Sequence, residues 1–245
     1  MTRAPRPGGP DPAGAAPAAP AALLRAVFGV IAARRPGGRA VHDPGAVFAA
    51  VLDVPEREWQ CGVDGFDEPG QWPAMVRFSR GFGLPQPLPD VLGLAVRVES
   101  PRGPRDLLVD SVVGVGPLAR RLGRPARRPL LSTYSSLLAY RLGPAAAVTL
   151  VLVLPVHRNS SVGPVGAARR QTRLDGVHDL GGQAFDVAVA GRGGGPVRLA
   201  RLRLGERLPD GVEPHFDPTS AGVLVPAGPL GRLRVAGYPA VPVRA

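Results

Sequence analysis

The 245-residue chain contains no lysine and only one cysteine, Cys61. A single thiol excludes an intrachain disulfide and any thiolate-based structural zinc site. A reducing compartment is therefore expected, and with it a cytoplasmic location. Without Lys there is no Walker-type phosphate loop, whose charge contact is a lysine ammonium. No Gly-x-Ser-x-Gly elbow is present either. Aromatic residues make up only 5% of the chain and charged residues 20%. The longest strongly apolar run, residues 145–154, is too short to cross a bilayer, which takes about 20 residues. Pro and Gly stand near the start where a secretory segment needs Leu and Val. Neither a transmembrane segment nor a signal peptide is expected.

Hydrophobic residues reach 44%, enough for a sizeable core, and the chain carries 33 Gly and 30 Pro. That combination suits one turn-rich, mostly β domain. Net charge is +11, carried by Arg alone. The Arg bias accompanies an Ala, Gly and Pro excess, the mark of codon pressure from a GC-rich genome. Charge is therefore not read as nucleic-acid binding, and no specific nucleic acid is expected. Its distribution says more. Residues 111–174 contain ten Arg and no Asp or Glu. Arg120, Arg121, Arg124, Arg127 and Arg128 form a cluster that reads either as a solvated loop or as an anion-facing surface. No aromatic residue interleaves it, which argues against single-strand binding.

Fifteen of the first twenty residues are Pro, Ala or Gly, so residues 1–20 are expected to be a disordered leader with little to bury. Leu23, Val27 and Val30 recur at helical spacing, and Pro36-Gly37-Gly38 closes that helix. Residues 21–245 are expected to form one domain. From residue 39 strand patterns take over: Ala46–Val54, then 75–78, 92–98 and 105–113, separated by Gly- and Pro-rich turns. Residues 117–142 are the main central helix candidate, with Leu130, Leu131, Tyr134, Leu137, Leu138 and Tyr140 on its inner side. Strands return at 149–156, Ala184–Ala190 and 197–204, and residues 214–245 read as loop. Gly191-Arg192-Gly193-Gly194-Gly195 reads as a turn between strands. Trp59 and Trp72 flank Cys61 and are expected to pack with it beneath a loop.

The four histidines, His42, His157, His178 and His215, do not cluster in sequence. His42-Asp43 and His178-Asp179 form the dipeptide used by metal-dependent phosphodiesterases, but such a site needs a full set of ligands from neighbouring helices.

A sharper pattern is Gly38-Arg39-Ala40-Val41-His42-Asp43-Pro44-Gly45-Ala46, followed by Leu52-Asp53-Val54. Downstream come Val76-Arg77-Phe78-Ser79, then Asp90-Val91-Leu92-Gly93-Leu94-Ala95-Val96-Arg97-Val98, then Asp106-Leu107-Leu108. Arg234-Val235-Ala236-Gly237-Tyr238-Pro239 lies near the end. In order and spacing, these segments resemble the haem-dependent catalases. The resemblance covers residues 38–113 well, is loose through the middle, and returns in the tail. At 245 residues the chain is closer to the short catalase-related proteins.

The resemblance implies an α+β, mostly β fold: a closed antiparallel catalase-like β-barrel with flanking helices. It implies a haem cofactor, and hydrogen peroxide or an organic hydroperoxide as the small-molecule partner. Tyr238 would be the axial ligand of the haem iron, with Arg234 lowering its phenol pKa from about 10. Arg39 and Arg77 would meet the propionates through bidentate forks. His42 would move the peroxide protons, and Ser79 would fix its tautomer. The family's distal Asn has no counterpart, because the positions read Val109-Asp110-Ser111; Ser111 is the remaining hydrogen-bond donor there. Three readings follow: a weak or divergent catalase-related oxidoreductase, a catalytically inactive barrel holding haem or an apolar ligand, and a metal-dependent phosphodiesterase. The Arg120–Arg128 stretch would add an anionic surface contact.

Overall fold

The computed structural model describes residues 45–63, 65–84, 88–100, 103–137, 139–142, 147–156, 174, 177–191, 194–210, 212, 214, 216 and 225–226. The chain divides into two units, Met1–Val41 and His42–Ala245, and every described residue belongs to the second. The leader, the helix expected near residue 27, and the end of the chain lie outside the described residues.

Eleven strands are described. They are β1 (Ala46–Val54), β2 (Gly70–Arg80), β3 (Asp90–Ser100), β4 (Gly103–Ser111), β5 (Pro125–Ala126), β6 (Tyr134–Ser135), β7 (Tyr140–Leu142), β8 (Ala147–Pro155), β9 (Ala184–Ala190), β10 (Val197–Arg207) and β11 (Val225–Pro226). Eight of them close a barrel in the order β1, β2, β3, β4, β6, β8, β9, β10, and β10 returns to β1. The β8–β9 ladder, from Leu150↔Ala190 to Pro155↔Phe185, removes the edges that an open sheet would leave unpaired. All these pairings are antiparallel.

Alternation explains the interior. Along β1 the buried side chains Phe48, Ala50, Leu52 and Val54 recur every second residue, and β3 repeats the pattern with Leu92, Leu94, Val96 and Val98. The scarce aromatic residues concentrate here. Phe48 meets Phe78 edge-on at 6.1 Å, and Phe78 and Tyr134 both contact Phe185, at 6.2 and 6.3 Å. Each such ring buries enough apolar surface to stabilise the fold by roughly 2–3 kcal/mol. Small barrels of this strand number are filled by side chains rather than left open.

The outer face is pinned by charge. Arg97 on β3 donates to both carboxylate oxygens of Asp106 on β4, at 2.7 and 2.6 Å. The Asp106 side chain is fully buried, and Phe216 lies 5.4 Å from the Arg97 guanidinium. Asp67 organises the β1–β2 loop by accepting the backbone N–H groups of Cys61, Gly62 and Val63. Cys61 is buried, and Trp72 packs partly against the core. Trp59 departs from expectation: it is 42% exposed, with the Arg57 guanidinium 4.7 Å above its ring.

The helix expected over 117–142 does not form. Two single-turn 3-10 segments, Ala119–Arg121 and Pro129–Leu131, alternate there with β5, β6 and β7. Pro125 and Pro129 each remove a backbone donor and clash with a preceding turn. Leu130 and Tyr134 do face inward, but from a 3-10 turn and a strand. Tyr134 anchors the segment by donating its hydroxyl to the Pro129 carbonyl at 2.8 Å. Leu137 adopts φ 55°, a left-handed conformation no continuing helix contains. β1 and β9 keep the expected bounds, β2, β3 and β10 extend theirs by a few residues, β4 and β8 begin two residues earlier and end sooner, and Val225–Pro226 adds a strand within the expected loop. Among the described residues no helix is long and apolar enough to cross a membrane.

Candidate functional site

Phe78 points into the core, so its neighbours Arg77 and Ser79 face outward from β2. Register extends that outer face. Ser79 pairs with Gly93, Gly93 with Asp110, and Asp110 with Ser135. One step along, Val47, Arg77, Ala95 and Leu108 are aligned across β1 to β4. Ser79 and Asp110 therefore stand on strands two apart, roughly 10 Å from each other at the backbone. Gly93, with no side chain, and Ala95, with one methyl, lie between. The outer face of β2–β4 thus aligns a guanidinium, a hydroxyl and a carboxylate to either side of the small residues of β3. Continuing around the barrel, Ser135 pairs with Leu152 and Leu152 with Ala188. The row thus passes from polar to apolar, and Ser79, Ser135, Leu152 and Ala188 are all buried.

Of the site residues expected from sequence, the fold brings together Arg77 and Ser79. Arg39, His42, Arg234 and Tyr238 lie outside the described residues. Ser111, the expected stand-in for the missing carboxamide, is engaged elsewhere. Its side chain accepts from the Leu92 N–H at 2.9 Å and donates to the Arg124 carbonyl at 2.7 Å. The residue that shares the face of Ser79 is Asp110. Sequence reasoning sought a carboxamide by residue type and passed over the carboxylate beside it. Counting alternation from Leu107 and Val109, which face the core, would have found it.

The Arg cluster also divides. Arg120 is 1% exposed and donates to the carbonyls of Gly191 and Gly194, clamping the Gly-rich turn between β9 and β10. It belongs to the packing and not to an anion-facing surface. Arg121, Arg124, Arg127 and Arg128 are exposed.

Two ionisable groups are held neutral. Burial, reinforced by the Asp67 carboxylate, pushes the Cys61 thiol up to about 12. Burial also pushes the Tyr134 phenol far above its ordinary range, with the charge of Asp110 adding to the effect. Tyr134 is thereby unsuited to act as a phenolate ligand.

The described residues hold no group of three or more His, Cys, Asp or Glu side chains placed to bind a metal. The Asp179 carboxylate caps its own turn through the Gly181 N–H at 2.7 Å, and His178 is exposed. A cavity of about 160 Å³ opens at Asp53, Pro55, Arg198 and Arg201. It is small for a cofactor, since such pockets run from about 300 Å³, and Asp53 lies roughly 20 Å along β1 from the Val47 row.

A haem makes three demands of a protein wall: a cation for each propionate, room for the ring edge, and polar groups at the open iron face. The aligned face offers one cation, Arg77, small residues at Gly93 and Ala95, and the carboxylate of Asp110 rather than a neutral donor; a second cation is not among these residues.

No protein-family profile and no curated protein matches the chain. Solved structures do. A fungal catalase superposes with a TM-score of 0.56 at 12% identity, over 96% of this chain and 63% of its own. A bacterial catalase gives 0.54 at 13% identity, over 96% and 61%. Catalase A from Saccharomyces cerevisiae gives 0.55 at 11% identity, over 81% and 58%. The chain spans about three-fifths of the length of these catalases. The barrel is a catalase-like fold.

Proposed function

We propose that the chain is a haem-binding, catalase-related oxidoreductase that acts on hydrogen peroxide or an organic hydroperoxide. The observation that carries this reading is the shared face of Arg77, Ser79, Gly93 and Asp110. Three separately spaced segments of the sequence contribute these residues, and the ladder aligns them on one outer face. The catalase-like fold supports it. Haem, when bound, supplies an iron that exchanges electrons with peroxide. The chain's own groups do the rest. Arg77 would hold a propionate, and the small side chains of β3 would admit the ring. His42 takes a proton from the peroxide and returns it to the departing oxygen, while Ser79 holds the imidazole in one tautomer. Tyr238 would hold the haem iron, with Arg234 lowering its phenol pKa, and Arg39 would partner the second propionate; these roles rest on the sequence resemblance. A cytoplasmic location is part of the same proposal.

Asp110 decides the kind of chemistry. An ionised carboxylate accepts hydrogen bonds and donates none. It cannot polarise a second peroxide oxygen as a carboxamide does. Reduction of hydroperoxide by an organic donor is therefore favoured over dismutation. The same residue favours a second reading, an inactive barrel that retains the ligand. The experiment that separates them is donor-dependent peroxide reduction by the haem-loaded chain. The first reading expects turnover that His42→Ala lowers by about 10²–10⁴. Turnover equal to that of free haem, unchanged by the substitution, would leave the inactive barrel.

A further inference from the structure

At the end of the barrel where β2 passes to β3, two loops rise together. In the first loop, residues 81–84 are tied down by Asp90, whose buried carboxylate accepts the N–H groups of Phe82 and Leu84, both at 3.0 Å. Loop 112–128 reaches the same point. Pro125 and Ala126 pair with Val91 and Asp90, Val112 bridges Gly123, and the Arg124 N–H donates to the Ser111 carbonyl at 2.8 Å. Both loops display large apolar side chains to water. Leu118 is 78% exposed, Leu122 57%, and Phe82 and Leu88 each 50%. Exposed Arg121, Arg124, Arg127 and Arg128 are interspersed with them. Neither loop contains an Asp or Glu.

Singly exposed apolar residues need no explanation, but a group of them on adjoining loops does. We propose that this barrel end docks on the surface of an anionic lipid bilayer. Leu118, Leu122, Phe82 and Leu88 enter the boundary between headgroups and acyl chains, and the four Arg meet the headgroup phosphates. The alternation of Leu118, Arg121, Leu122 and Arg124 within a few residues suits a partner that sets anions within a few ångströms of hydrocarbon. A second copy of this face is disfavoured, because a two-fold contact would press eight exposed guanidinium groups together with no carboxylate from either loop to offset them. A nucleic acid would satisfy the Arg residues and leave Leu118 and Leu122 in water. This inference is independent of haem binding, since it uses neither Arg77, Ser79, Gly93 nor Asp110.

The test is sedimentation of the full chain with vesicles of phosphatidylcholine alone and of phosphatidylcholine mixed with phosphatidylglycerol. Binding to the mixed vesicles only is expected. Leu118→Ser combined with Leu122→Ser should weaken it about tenfold or more. Replacing Arg127 and Arg128 by Gln should weaken it roughly fivefold for each charge removed. Phe82→Ser, on the other loop, provides a second apolar variant, and an unchanged melting temperature shows each variant folded. Failure to bind mixed vesicles would overturn the proposal. Binding that the Leu and Phe variants leave unchanged would overturn it in favour of simple polyanion attraction. A dimer that dissociates on Leu118→Ser would overturn it in favour of self-association.

Discussion

Ser79 and Asp110 stand opposite Gly93 from its two flanking strands, so both lie on one outer face with no side chain at the residue between them. Ser79 is 9% exposed. On the proposed function, a carboxylate at this position has consequences for turnover that a carboxamide would not have.

Asp110→Asn is expected to raise oxygen evolution from hydrogen peroxide by the haem-loaded chain on the order of a hundredfold, the effect of one well-placed donor. Donor-dependent peroxide reduction should change far less. An oxygen electrode reads the first and a chromogenic donor the second. Oxygen evolution at the rate of true catalases by the unsubstituted chain would contradict the role given to Asp110.

The Arg97–Asp106 pair is a matter of stability. Arg97→Ala leaves a fully buried carboxylate without its bidentate partner. That should cost roughly 3 kcal/mol and lower Tm by about 6–12 °C in a chain of this size. The double variant with Asp106→Ala should be less destabilised than the sum of the two single changes. Additive losses in calorimetry would show that the pair is not coupled.

Arg120 and Arg121 are adjacent in sequence and opposite in role. Arg120→Gln should destabilise by roughly 2 kcal/mol, because the Gly191 and Gly194 carbonyls lose a charged donor. Arg121→Gln, on the exposed side, should stay within about 0.5 kcal/mol of the parent. Equal effects in urea titration would return Arg120 to the surface cluster.

How far the sequence reveals these features depends on the residue. β1 is legible to the residue because Pro44-Gly45 and Pro55 bracket an apolar stretch with no competing signal. The 117–142 segment misleads because Leu130, Tyr134 and Tyr140 are inward-facing at intervals that imitate a helix, while Pro125 and Pro129 set the backbone. That Arg77 and Ser79 share a face of β2 follows from alternation, but placing Asp110 on the same face requires knowing which face of β4 is buried. No pattern in a run of five Arg distinguishes Arg120; only the distant Gly191–Gly194 turn does, through a contact between residues far apart in the chain.

Cys61 should resist thiol reagents in the folded chain at pH 8 and react once denatured. Its thiol is 2% exposed and raised from 9.0 to about 12. The raised value favours the folded state fully below pH 9 and is lost as pH climbs from 9 towards 12. Cys61→Ala should therefore flatten the alkaline fall in stability. Rapid labelling of the native protein would place the thiol in a reactive setting instead.

The central claim is that this barrel holds haem through Tyr238, and a haemin titration followed by absorption spectroscopy tests it most directly. The full chain should develop a Soret band that saturates at one haem per chain, and Tyr238→Phe should lower the affinity by at least about a hundredfold while Tm of the haem-free protein stays the same. A spectrum no different from free haemin, or a saturable band that Tyr238→Phe leaves unchanged, would contradict it.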